Sequence, residues 1–164
     1  VIFTCIPAIA APSPSTPLTL TANAALAKTR LQIPSPIGQP SFSLRLGAAE
    51  SDKLSYFGGL SYEVPISLGI HLLSFRADGD IWEHFSGRSG GGTALSANVI
   101  VGPNSAYYGA GIAYSARVSH ASGPSGPGIK LIAGSQPIPI LGYEFDAIVA
   151  DRGVMGAAMI TFHF

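Results

Sequence analysis

Charge is scarce in this sequence. Asp, Glu, Lys and Arg together make up 11% of its 164 residues, against about 25% in ordinary soluble domains. Nine basic residues balance nine acidic ones, so there is neither a basic stripe for nucleic acid nor an acidic tail. Nucleic acid is not an expected partner. Cysteine occurs once, as Cys5, which excludes an internal disulfide and a cysteine-ligated zinc site. Also missing is any apolar run of about 18 residues, the least a transmembrane helix needs. Gly, Ser, Pro and Asn interrupt every candidate. With twenty glycines and thirteen prolines, a helical bundle is equally disfavoured.

Hydrophobicity is nevertheless high: apolar residues make up 47% and mean hydropathy is +0.37. A chain that is apolar on average but never for long spreads its hydrophobicity by alternation, as strands do. Residues 1–11 (VIFTCIPAIAA) differ. They are apolar and end in small residues, and Ala8 and Ala10 fit a signal-peptidase pattern with cutting before Ala11. They read as the remnant of an export signal. Residues 12–40 contain Pro12, Pro14, Pro17, Pro34, Pro36 and Pro40 and read as a Pro-rich linker.

From Ser41 onward the side-chain period is two. Strands are expected over 41–50, 54–64, 66–75, 93–101, 106–119, 129–134, 140–150 and 154–164. Pro65 is expected to mark a tight turn, and 77–92 and 120–128 to be loops. The alternation is cleanest over 106–119, where Tyr108, Ile112, Tyr114 and Val118 share one face and Gly109, Gly111, Ser115 and Arg117 the other. Several of these strands approach the roughly 9–11 residues of a tilted membrane strand. Soluble sheets average nearer 5–6.

The two faces differ in kind. One carries Leu, Ile, Val, Phe, Ala and Tyr, including Tyr56, Tyr62, Tyr108, Tyr114 and Tyr143. The other carries Gly, Ser and nearly every strand charge. Small residues suit a crowded, curved interior better than open water. The expected fold is therefore all-β: a closed antiparallel up-and-down transmembrane β-barrel of about eight strands over 41–164, with its apolar face to lipid. Such a barrel is just wide enough for side chains to fill, and charges inside it need partners. Arg45, Arg117 and Lys130 are expected to pair with Glu63, Glu144 and Asp146 in a network that closes the bore. The competing reading is a soluble sheet with one wet face.

The last strand, GAAMITFHF, places Ile160, Phe162 and Phe164 at alternate positions, and AYYGAGIAYS is rich in Tyr and Gly. In these segments the sequence resembles the small eight-stranded outer-membrane β-barrels of the OmpA type and the related porin-family barrels. The resemblance implies a bacterial outer-membrane protein surrounded by outer-membrane lipid. It also implies insertion by the barrel-assembly machinery, with Ile160, Phe162 and Phe164 as the insertion signal. A monomer with a structural or surface-interaction role is expected. Nothing resembling a peptidoglycan-binding domain is found, so cell-wall anchoring is not expected.

Candidate chemistry is thin. His120 and Ser122, with Glu144, resemble the His-x-Ser-plus-acid arrangement of outer-membrane lipid A deacylases, but the flanking residues depart from that pattern. Asp78, Asp80, Glu83 and His84 form an acidic stretch without EF-hand spacing, read as a solvated loop that also carries Trp82 and Phe85. The expectation is a protein that is not an enzyme, with no catalytic residue, cofactor or metal ligand. Two other functions stay open: a narrow transport channel, and a secreted soluble β-sandwich or lipocalin-like binding protein.

Overall fold

Strict alternation in sequence puts every second side chain on one side of a strand, and closing such a sheet on itself turns those two sides into an inside and an outside. The computed structural model describes residues 40–68, 71–85, 90–102, 105–118 and 122–164; the readings of 1–39 as export signal and linker lie outside them. The described residues form eight strands and no helix. These are β1 (Ser41–Glu50), β2 (Leu54–Leu68), β3 (His71–His84), β4 (Gly91–Val101), β5 (Ala106–Val118), β6 (Ser125–Ile138), β7 (Leu141–Arg152) and β8 (Val154–His163). Each pairs antiparallel with the next, and β1 pairs with β8, aligning Leu44 with Phe162 and Glu50 with Gly156. The result is a closed barrel in chain order, with no sheet edge left unpaired.

Compared with a soluble protein the barrel is inside out. Arg45, Lys130 and Glu144 are 0% exposed, while Leu95 is 70% and Ile112 72% exposed. Large apolar side chains cover the whole outer wall. In water each would forfeit about 1.5–3 kcal/mol of burial; against hydrocarbon none is lost. The wall is thus built for lipid, and the chain is a transmembrane barrel. All five tyrosines assigned to the outer face are exposed there. Phe42 stacks on Tyr62 with ring centroids 4.7 Å apart near the rim where β1 begins, and Tyr56 on Phe85 at 3.8 Å near the opposite rim. These pairs fall where aromatic girdles of membrane barrels lie.

The interior is layered. A charged tier sits toward the rim where β1 begins. Above it lies an apolar tier of Ala49, Phe57, Trp82, Ala94, Ala113, Ile148, Met155, Ala157 and Met159. Beyond that is the opposite rim, here called the far rim. Two interior glycines make the layers fit. Tyr107 pairs with Gly134, and Trp82 with Gly92, across neighbouring strands. Each ring lies over its glycine so closely that an added Cβ would collide with it. Gly134→Ala is therefore expected to cost about 1–3 kcal/mol by overpacking. Gly156→Ala, where a Cβ meets nothing within 4 Å, should be neutral or stabilise by roughly 0.5–1 kcal/mol. Urea unfolding in lipid vesicles measures both, and equal effects would contradict the packing described.

Several boundaries differ from those expected. Pro65 does not turn the chain but lies within β2, opposite Ser74. There β2 outruns β1, whose pairing ends at Glu63, so the missing N–H faces no partner strand. Residues 77–84 are not loop but the second half of β3. Asp and Gly there signalled a turn, yet Asp78 and Asp80 point inward onto cations. Trp82 is consequently buried in the barrel rather than carried on a solvated loop. The sixth strand is long rather than short, and its irregularities near Pro127 and Pro137 are register shifts between Ser125 and Gly128 and between Ser135 and Ile138.

Candidate functional site

Inward alternation on β1, β3, β6 and β7 converges seven ionisable side chains on one level of the bore. Arg45 is the hub. Its Nη1 lies 3.1 Å from Asp146 Oδ2, 3.2 Å from Glu144 Oε1 and 3.4 Å from Asp78 Oδ2, and its Nη2 donates to Asp80. Lys130 Nζ is 2.8 Å from a carboxylate oxygen of each of Asp78, Asp80 and Asp146. Arg76 grips Glu144 with both ends of its fork, Nη1 to Oε2 at 2.6 Å and Nη2 to Oε1 at 2.8 Å, a strong bidentate geometry. Tyr107 donates to Glu144 Oε2 at 2.7 Å, and Asn98 Nδ2 to Asp78 Oδ2 at 3.0 Å.

Four of the six residues expected in the network come together here: Arg45, Lys130, Glu144 and Asp146. Glu63 does not; it accepts from Ser74 nearer the rim where β1 begins. Arg117 does not either, because it lies at the far rim. Their places are taken by Arg76, one residue past the expected third strand, and by Asp78 and Asp80, which fall in the stretch 77–92 expected to be loop. The signal was present, since Phe75, Ala77, Gly79 and Ile81 alternate with Arg76, Asp78, Asp80 and Trp82. Asp78, Asp80 and Asp146 bring ligand oxygens within 4.8 Å of one another, an oxygen set of the type hard cations favour. The Lys130 ammonium contacts all three, so the protein supplies that cation itself.

A second polar group sits at the far rim, beyond the apolar tier. Ser122 Oγ is 3.0 Å from His84 Nε2, and His84 Nδ1 is 2.7 Å from Ser55 Oγ. The Ser55 hydroxyl donates to the Lys53 carbonyl at 3.3 Å. A carbonyl only accepts, so the Lys53 oxygen favours one direction along the chain. When Ser55 gives its proton to Lys53 it accepts from Nδ1–H, and the His84 Nε2 lone pair then faces the Ser122 hydroxyl; in the other tautomer Nε2–H donates to Ser122. Arg117 fixes the segment that carries Ser122, donating from Nε to the Gly123 carbonyl at 2.6 Å and from Nη2 to the Arg152 carbonyl at 2.7 Å. Gly123 has φ +121°, a conformation other residues adopt only under strain. His120 lies outside the described residues, Glu144 belongs to the charged tier, and the described imidazole beside Ser122 is that of His84.

No known protein family and no curated protein matches the sequence. Among solved structures the chain is similar to the outer membrane enzyme PagL, at 13% identity and a TM-score of 0.45, over 76% of this chain and 98% of that one. It is also similar to Ail, the attachment invasion locus protein of Yersinia pestis, at 15% identity and a TM-score of 0.43, over 77% and 99% of the two chains. The expectation that the protein is not an enzyme is corrected at this point: a solved outer-membrane barrel similar to it is an enzyme, so barrel architecture gives no ground for excluding catalysis.

Proposed function

We propose that this small outer-membrane β-barrel resides in the outer membrane of a bacterium as a closed barrel, passing no solute and working through its far rim. The carrying observation is the completeness of the charged tier: Arg45, from β1, alone reaches Asp78 and Asp80 on β3 and Glu144 and Asp146 on β7. The apolar tier above it forms a second seal. What the surroundings meet is then the far rim, to which the described residues 51–53, Phe85, Gly90, 122–124 and the turn at Gly153 contribute, and a structural or surface-contact role fits it. In this reading the barrel stands as a monomer in outer-membrane lipid. Ile160 and Phe162 on β8 and Phe164 just after it lie exposed, where the assembly machinery would read them. The purified barrel in planar bilayers is expected to be electrically silent. Sustained unitary steps that vanish when the protein is omitted would overturn this reading and favour the narrow transport channel.

A further inference from the structure

The outer wall is not paved evenly with large side chains. We infer that a groove in it between β2 and β5, close to the far rim, binds a bilayer lipid whose headgroup carries a primary ammonium group. This gives the lipid-facing wall a specific partner. It rests on that wall and not on the closed bore, so a barrel that conducts would leave it standing.

The groove follows from where glycine falls on the outward face. Across β2 to β5, Tyr56, Glu83, Gly91 and Val118 stand side by side, and Gly58, Ile81 and Thr93 form the next row. Tyr56, Ile81 and Val118 project outward and are exposed. Gly58 and Gly91 have nothing to project, and a groove of about 550 Å³ opens over them, a volume within the roughly 300–1,000 Å³ of small-molecule sites. At Gly91 the gap is obligatory, because an added Cβ would collide with the Trp82 carbonyl oxygen. The wall in which the groove is cut faces hydrocarbon, so its occupant comes from the bilayer. An acyl chain lying in it restores the dispersion contacts that an empty groove forfeits.

The polar end of the groove selects the headgroup. Glu83 is the one charged residue lining it among the described residues. It is exposed next to Tyr56, whose ring stacks on Phe85. This is the level of the rim aromatics, where lipid headgroups meet a barrel. A carboxylate placed there attracts a cation and repels phosphate. A primary ammonium suits both neighbours: it donates charge-assisted hydrogen bonds to the carboxylate and is drawn to the adjoining aromatic rings. Calcium fits less well, since it takes about six to eight oxygen ligands and the groove offers a single carboxylate.

The chain's one tryptophan, Trp82, lines the groove and reports what fills it. The test folds the full chain into phosphatidylcholine vesicles, with folding checked by heat-modifiable gel mobility. Part of the lipid is then replaced by lipid brominated on its acyl chains, which quenches a nearby indole. Relative to brominated phosphatidylcholine, brominated phosphatidylethanolamine is expected to bind about two- to fivefold more tightly, the range of an exposed ion pair. Brominated phosphatidylglycerol and N-acetylated phosphatidylethanolamine lack the ammonium and should show no such preference. Glu83→Gln should abolish the preference for phosphatidylethanolamine. Gly58→Leu should lower quenching by every brominated lipid. A Cβ there meets Ile81 and Leu46 at an ordinary 3.8 Å, so the new side chain fills the groove without disturbing the barrel. Should either variant misfold, the N-acetylated lipid tests the charge and Gly58→Ala the groove. Equal binding of phosphatidylethanolamine and phosphatidylglycerol, or a preference that survives Glu83→Gln or N-acetylation, would overturn the assignment. So would an absence of quenching by any brominated lipid, as when a second copy of the chain covers the groove, or quenching untouched by Gly58→Leu.

Discussion

Arg45→Met is expected to lower the unfolding free energy by about 3–5 kcal/mol, the usual cost of removing one partner from a buried ionic cluster. The side chain is fully buried and its guanidinium is shared by four carboxylates. Taking it away leaves Lys130 and Arg76 to balance Asp78, Asp80, Glu144 and Asp146, all of them buried. Methionine restores most of the volume, so the loss reads charge rather than cavity. The same logic predicts strong non-additivity. Asp80→Asn removes one of the stranded negative charges, so Arg45→Met/Asp80→Asn should be more stable than the sum of the single losses requires, by about 0.5–3 kcal/mol of coupling. Equilibrium urea unfolding from vesicles gives all four corners of the cycle. A single-variant loss below about 1 kcal/mol, typical of solvated surface pairs, would mean that water enters the tier and that the bore is not closed.

The architecture was legible because one signal, period-two alternation, carries strand, face and environment together. On β5 it is unbroken from Tyr108 to Val118, and every outward assignment there holds. Even Phe57, an apparent exception on the polar face of β2, points inward, where it meets Trp82 and Met155 in the apolar tier. The sequence misled where local chemistry speaks for a turn and tertiary context overrules it. Asp78-Gly79-Asp80 has turn composition, but a barrel that brings Arg45 and Lys130 opposite makes those aspartates strand residues. Pro65 and Pro127 also read as punctuation, and become tolerable only where a partner strand has ended or a bulge intervenes. The hydrogen-bonded chain at the far rim was out of reach for a different reason. Ser55, His84 and Ser122 are brought together by the start of β2, the end of β3 and the segment before β6, and nothing in local pattern pairs Ser122 with His84 rather than with His120.

Exchanging two neighbours, in the variant Lys130→Leu/Leu131→Lys, is expected to abolish the folded barrel although composition, net charge and mean hydropathy are unchanged. On β6 these residues alternate. Lys130 is fully buried against three aspartates, and Leu131 is 47% exposed on the outer wall. Losing the buried ammonium costs about 3–5 kcal/mol. Placing a lysine on the lipid side costs about 2–4 kcal/mol near mid-membrane. The two costs arise on opposite sides of the wall and share no partner, so they add to roughly 5–9 kcal/mol, within the span of total stability of most folded domains, about 5–15 kcal/mol. The swap is equivalent to slipping two residues by one register step, which sends each side chain to the wrong environment. The control exchanges two residues of the same face: Ile129→Leu/Leu131→Ile keeps both apolar and outward and should stay within about 1.5 kcal/mol of wild type. Heat-modifiable mobility and protease resistance in vesicles report the outcome. A swapped barrel that folds as well as the control would show that composition, rather than the direction each side chain points, places this chain in the membrane.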